Sequence, residues 1–109
     1  MSDDGPGSPH PTLQLDDTVH QRVRLGILAV LQETKRADFS SLRDVLGLSD
    51  GNLARHLDVL AQAGLVTIAK DLKGSRPRTW ISATGAGRKA LAAEVTALRR
   101  LIDSVETGP

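Results

Sequence analysis

Three observations predict a mainly α-helical fold carrying one small β-hairpin. A capped amphipathic stretch runs from Ser49 to Gly64. It leads into the β-branched run Leu65-Val66-Thr67-Ile68-Ala69-Lys70, whose partner Arg78-Thr79-Trp80-Ile81-Ser82-Ala83 follows a tip holding Gly74 and Pro77. Apolar residues recur at helical spacing on both sides of this unit. At 109 residues the chain has room for one core and not two. With 2% aromatic residues, that core must be built from Leu, Val, Ile and Ala.

Residues 1–12, with Gly5, Pro6, Gly7, Ser8, Pro9 and Pro11, read as a disordered N-terminal tail, leaving residues 13–109 as the folded domain. A first helix is expected from Asp16 or Asp17 to Lys35. Its acidic start and basic end suit the helix dipole, and Val19, Val23, Ile27 and Val30 or Leu31 repeat with helical period. Ser40 is the expected N-cap of a short second helix carrying Leu42, Val45 and Leu46 and stopped by Gly47. Leu48 then bridges to the Ser49-to-Gly64 helix, which turns Leu53, Leu57 and Leu60 inward and Asn52, Arg55, His56 and Val59 outward. Two helices joined by a tight glycine turn form a helix-turn-helix.

In the hairpin, alternation places Val66 and Ile68, with Ile81 and Ala83, on the core side. Trp80 falls half-exposed with Ser82 on the other face, to be read as a packing residue at the hairpin base or, less readily, as a ligand or partner contact. Thr84 caps a last helix reaching about Val105, roughly 30 Å long. Along it Leu91, Val95, Leu98, Ile102 and Val105 follow the alternating four-and-three step of a helix seam. That seam can pack on the first helix or on a second copy of the chain. The helix outruns what a small core needs, which favours a homodimer. The whole pattern is that of a winged helix-turn-helix.

Charge is distributed unevenly behind a net value of +1. Asp3, Asp4, Asp16 and Asp17 make the start acidic, whereas Lys70, Lys73, Arg76, Arg78, Arg88 and Lys89 face only Asp71 between Ile68 and Ala90. A local cationic patch beside a helix with an Asn and Arg outer face suits duplex DNA. Asn can pair with adenine and Arg with guanine in the major groove, while the wing cations meet phosphates.

Other chemistries lack their residues. Absence of cysteine excludes disulfides, thiolate metal sites and cysteine nucleophiles. His20 stands three and four residues from Asp17 and Asp16, a metal-like spacing that we read as an exposed first helical turn. Gly85-Ala86-Gly87 lacks the setting of a phosphate loop and reads as a helix start at which Arg88 meets a DNA phosphate. No catalytic carboxylate pair, Ser-His-Asp set or metal cluster emerges, so neither an enzyme nor a cofactor is expected. No apolar run approaches a membrane span, and the acidic start is unlike a signal peptide, so a cytoplasmic protein is expected.

From Leu25 to about Leu98 the chain resembles the compact winged-helix domains of MarR/ArsR-like transcriptional regulators. The resemblance is carried by Phe39 to Leu57 (FSSLRDVLGLSDGNLARHL), Ala63-Gly64-Leu65-Val66, Arg76-Pro77-Arg78-Thr79 and Thr84-Gly85-Ala86-Gly87-Arg88. Ala83 departs from it, since relatives usually carry Leu before the Thr-x-x-Gly turn. The resemblance implies a homodimeric regulator on operator DNA. It places the Asn52-to-Val59 face, with Arg55 and His56, in the major groove and the wing from Lys70 through Lys73 and Arg76 to Arg78 along the backbone; Ser49 and Asp50 at the helix start and Arg88 beside the wing are further expected DNA contacts. A winged helix used only for protein docking is the alternative, but it would expose an apolar groove where this hairpin exposes cations. Nothing in the sequence names an effector ligand.

Overall fold

The fold is that of a computed structural model that describes residues 10–107. Most of the expected N-terminal tail lies outside the described residues. Its last part is ordered differently from expectation: Pro11–Gln14 form a 3-10 turn, capped by the His10 ring and packed on the last helix.

The helical frame begins with α1 (Asp17–His20) and α2 (Arg22–Glu33). These replace the single expected helix. Gln21 is extended, with φ −65° and ψ 133°, and its side chain accepts from Arg24 N–H, so it caps α2 where the longer helix would have continued. At the other end Thr34 is extended, and the chain turns into β1 (Ala37–Asp38) instead of carrying the helix on to Lys35. The following helix, α3 (Phe39–Leu46), is capped by Asp38 and not by Ser40, because the Asp38 carboxylate accepts from Ser41 N–H at 2.7 Å. Gly47, at φ 65°, ends it in the left-handed conformation that glycine adopts without strain.

α4 (Asp50–Gln62) starts at Ser49, whose hydroxyl accepts from Asn52 N–H at 3.2 Å. Beyond it β2 (Val66–Asp71) and β3 (Arg78–Ala83) make the hairpin. β3 is the central strand of three, in the order β1-β3-β2, all antiparallel. Val66 pairs with Ala83 and Ile68 with Ile81, as alternation requires, yet their burial differs. Ile81 is sealed under β1 through its pairing with Ala37, whereas Ile68, expected in the core, lies on the edge strand and is 39% exposed. Ala83 still packs on the core despite its small size.

The core joins Val19, Ile27, Leu28, Leu31 and Leu42 to Leu53, Leu57, Leu60, Ile81 and Leu91. α5 (Gly85–Glu106) begins at Thr84, whose hydroxyl accepts from Gly87 N–H at 2.9 Å. It turns Gly87, Leu91, Glu94 and Ala97 inward. Glu94 is the buried charged residue among those described, and no local pattern in the chain marks it. Its carboxylate accepts from Asp16 N–H at 2.9 Å and from His20 Nδ1 at 2.6 Å. Asp16, Asp17 and His20 are exposed as expected, and two of them also satisfy a carboxylate that would otherwise be costly to bury.

Candidate nucleic-acid interface

α4 presents one face to the core and one to solvent because its apolar residues follow the helical period. Leu53 and Leu60 are fully buried and Leu57 nearly so, while Asn52, Arg55 and Val59 are exposed. On that outer face an Arg55 terminal nitrogen donates to Asn52 Oδ1 at 3.0 Å, joining the two residues expected to read bases. Ser49 uses its hydroxyl as the cap. Asp50 accepts from Arg43 Nη1 at 2.8 Å, and Arg43 also donates from Nε to Asp44 at 3.0 Å. Arg43 thus ties the end of α3 to the start of α4, and its two carboxylate partners hold its pKa above the ordinary arginine range.

His56 departs from the open reading face. It is half-buried, and Arg24 Nη1 lies 3.3 Å from its Nδ1, a contact that needs a neutral ring with Nδ1 as acceptor. Burial, then the charges of Arg24 and Arg55, hold its pKa below the ordinary value of 6.5. A lowered folded pKa means that, as pH falls through about 6.5, the unfolded chain takes up a proton that the folded chain resists. Stability from this residue is complete above that pH and declines below it. Denaturant titrations at pH 7.5 and 5.5 should show a steeper acid loss for wild type than for His56→Gln. Parallel losses would remove His56 from this role.

The wing tip is shaped by Gly74 at φ 85° and by Lys73 N–H donating to the Asp71 carboxylate at 3.0 Å. Lys70, Lys73 and Arg76 are exposed and enter no ion pair among the described residues. Arg78 is partly committed: its Nη1 lies 3.6 Å from Asp38 Oδ2, and its guanidinium is 5.8 Å from the Trp80 ring centre. Asp38 has its pKa lowered by the Ser41 hydrogen bonds and further by Arg78. Trp80 is half-buried at the hairpin base, with the Arg36 guanidinium stacked 3.8 Å from its ring centre. Arg36, Arg43 and Asp38 border the candidate site and were not singled out from the sequence. Arg36 and Asp38 meet Trp80 and Arg78 only through the fold, and Arg43, although inside the Phe39-to-Leu57 stretch, reaches Asp50 on the next helix.

Arg88, expected at a phosphate with the wing residues, is placed on the α2–α5 side. Its Nη1 is 3.5 Å from Gln32 Oε1, and it lines a groove of about 310 Å³ with Leu91, Val95 and Arg99. The expected seam also divides. Leu91 packs in the chain's own core, Val95 and Leu98 are half-buried, and Ile102 and Val105 are 53% and 73% exposed. No helix among the described residues is long and apolar enough to cross a membrane, and no group of three potential metal ligands occurs among them.

Comparison with known proteins matches residues 23–102 to a family model described as a winged helix DNA-binding domain. An uncharacterized protein of Methanocaldococcus jannaschii is 34% identical over 84 residues, covering 77% of this chain and 91% of its own. The solved structure of a transcriptional regulator homologue from Pyrococcus horikoshii is 35% identical with a TM-score of 0.78, over 82% of this chain and 88% of that one. A MarR-family regulator from Rhodococcus, 19% identical, shares the fold with a TM-score of 0.71 over 91% of this chain and 69% of its own.

Proposed function

This chain belongs to the winged helix DNA-binding domain family, and on that premise we propose that it is a transcriptional regulator that binds duplex DNA as a homodimer. α4 enters the major groove and the wing follows the phosphate backbone. The observation that carries this reading is the division of labour on α4: one face is wholly given to the core, and the other holds the joined pair Asn52 and Arg55 free of apolar packing. The exposed Lys70, Lys73 and Arg76 supply the cations that a duplex attracts. Two copies related by a two-fold axis would present their reading helices about 34 to 36 Å apart, one turn of duplex, on an approximate palindrome. A homodimer acts most simply by occupying its operator, so repression is the mode of action that goes with this reading.

A mobility-shift assay at low and moderate salt tests the reading. DNA binding gives retention that weakens with salt, whereas a protein-docking module gives none. Within that assay Lys73→Ala and Arg76→Ala should weaken operator and random DNA alike. Each should reduce the slope of log affinity against log salt by about 1. An unchanged slope would remove that residue from the interface.

A further inference from the structure

We infer that Asn52 and Arg55 act as one guanine-reading unit, with Arg55 contacting the base and Asn52 positioning it, and not as separate readers of an adenine and a guanine. The inference rests on the proposed DNA-binding reading and gives it a base preference. Asparagine recognises adenine by accepting from N6 through Oδ1 while donating to N7 through its amide nitrogen. In this chain one of the two lone pairs of Oδ1 already accepts, at 3.0 Å, from the terminal nitrogen of Arg55 three residues on, so an adenine N6 would have to share that oxygen with a charged donor. The two side chains are neighbours on the helix surface, so the bond closes without disturbing α4.

The guanidinium keeps its capacity for guanine. It carries five N–H donors, and the bond to Asn52 takes one proton from one terminal nitrogen. A complete pair of parallel donors remains for N7 and O6 of guanine. Asn52 fixes the arginine in advance, so less side-chain freedom is lost when the base is met. No carboxylate elsewhere draws Arg55 away from position 52: Asp50 is held by Arg43, and Arg55 enters no ion pair among the described residues.

The test is a base-preference profile on duplexes varied one pair at a time, measured for wild type, Arg55→Ala, Asn52→Ala, Asn52→Asp and the double alanine variant. Arg55→Ala should lose a guanine preference of roughly 5- to 150-fold at one pair of each half-site. Asn52→Ala should reduce the preference at that same pair by roughly 2- to 10-fold and add nothing once Arg55 is gone. Asn52→Asp keeps the acceptor that holds Arg55 and lacks the amide donor that adenine needs, so it should retain the guanine preference even if total affinity falls. Substituting 7-deazaguanine at the pair removes the N7 acceptor and leaves O6, so it should lower the preference of wild type and leave that of Arg55→Ala unchanged.

Four results overturn the unit: alanine effects at two different base pairs, additive effects, a wild-type profile for Asn52→Ala, or Asn52→Asp behaving like Asn52→Ala. A wild-type protein that retains DNA but prefers no base would instead overturn sequence-specific recognition, and the unit with it. No retention at all would overturn the DNA-binding reading.

Discussion

Replacing Gly87 by alanine should cost about 3 kcal/mol or more of folding stability, a severe effect for one added methyl group. A Cβ at this position would lie well inside van der Waals contact with the Leu65 carbonyl oxygen and 3.0 Å from its carbonyl carbon. Neither side can step back. The Leu65 oxygen accepts from Thr84 N–H at 3.0 Å, Leu65 N–H donates to Leu60 at 2.9 Å, and the Thr84 hydroxyl donates to Gly64 O at 2.7 Å. The end of α4, the start of β2 and the first turn of α5 are thus one locked junction. Alanine favours a helix interior over glycine by only about 1 kcal/mol, so the clash wins. Gly85 is the control, since a Cβ there meets nothing within 4 Å. Gly85→Ala should be neutral or slightly stabilising. Denaturant midpoints decide the matter: a Gly87→Ala protein as stable as Gly85→Ala would show that the junction yields freely.

The junction also marks what could be read in the chain and what could not. Caps and stops at Ser49, Thr84, Gly47 and Gly64 were legible because each depends on a side chain and backbone groups only a few residues away. The inward face of α4 was legible for the same kind of reason, as a local period of leucines. Gly87 was recognised as part of a helix start but not as a contact, because Leu65 reaches it only through the fold. β1 is two residues long and exists by pairing with Ile81 and Trp80, more than forty positions away. Pairing at that distance leaves no local pattern.

α5 shows the same division within one helix. Its large apolar residues trace a stripe through Leu91, Val95, Leu98, Ile102 and Val105, and a seam is read from them. The chain itself buries a neighbouring stripe, Gly87, Leu91, Glu94 and Ala97, in which two members are small and one is acidic. Small residues permit close approach and Glu94 is satisfied by His20 and Asp16, so neither carries a hydrophobic signal. His56 was legible as a surface position on α4 but not as a partner of Arg24, thirty-two residues earlier.

Ile102→Glu should abolish the proposed dimer and lower operator affinity by about 100- to 10,000-fold, because the second half-site is then no longer held next to the first. Position 102 separates assembly from folding. Ile102 is 53% exposed in the single chain and lies beyond the core contacts of Leu91 and Ala97, so a carboxylate there is solvated in the monomer. Within a two-copy seam the same carboxylate would be buried against apolar side chains, where an unpaired charge is not tolerated. Leu98→Glu acts on the same seam, but Leu98 is half-buried within its own chain, so its loss of affinity mixes assembly with stability. The expected Ile102→Glu protein unfolds cooperatively with a midpoint that does not depend on protein concentration, sediments as a monomer, and retains only weak, salt-sensitive binding to one half-site. A variant that stays dimeric, or a wild type already monomeric at micromolar concentration, would move the dimer interface off α5.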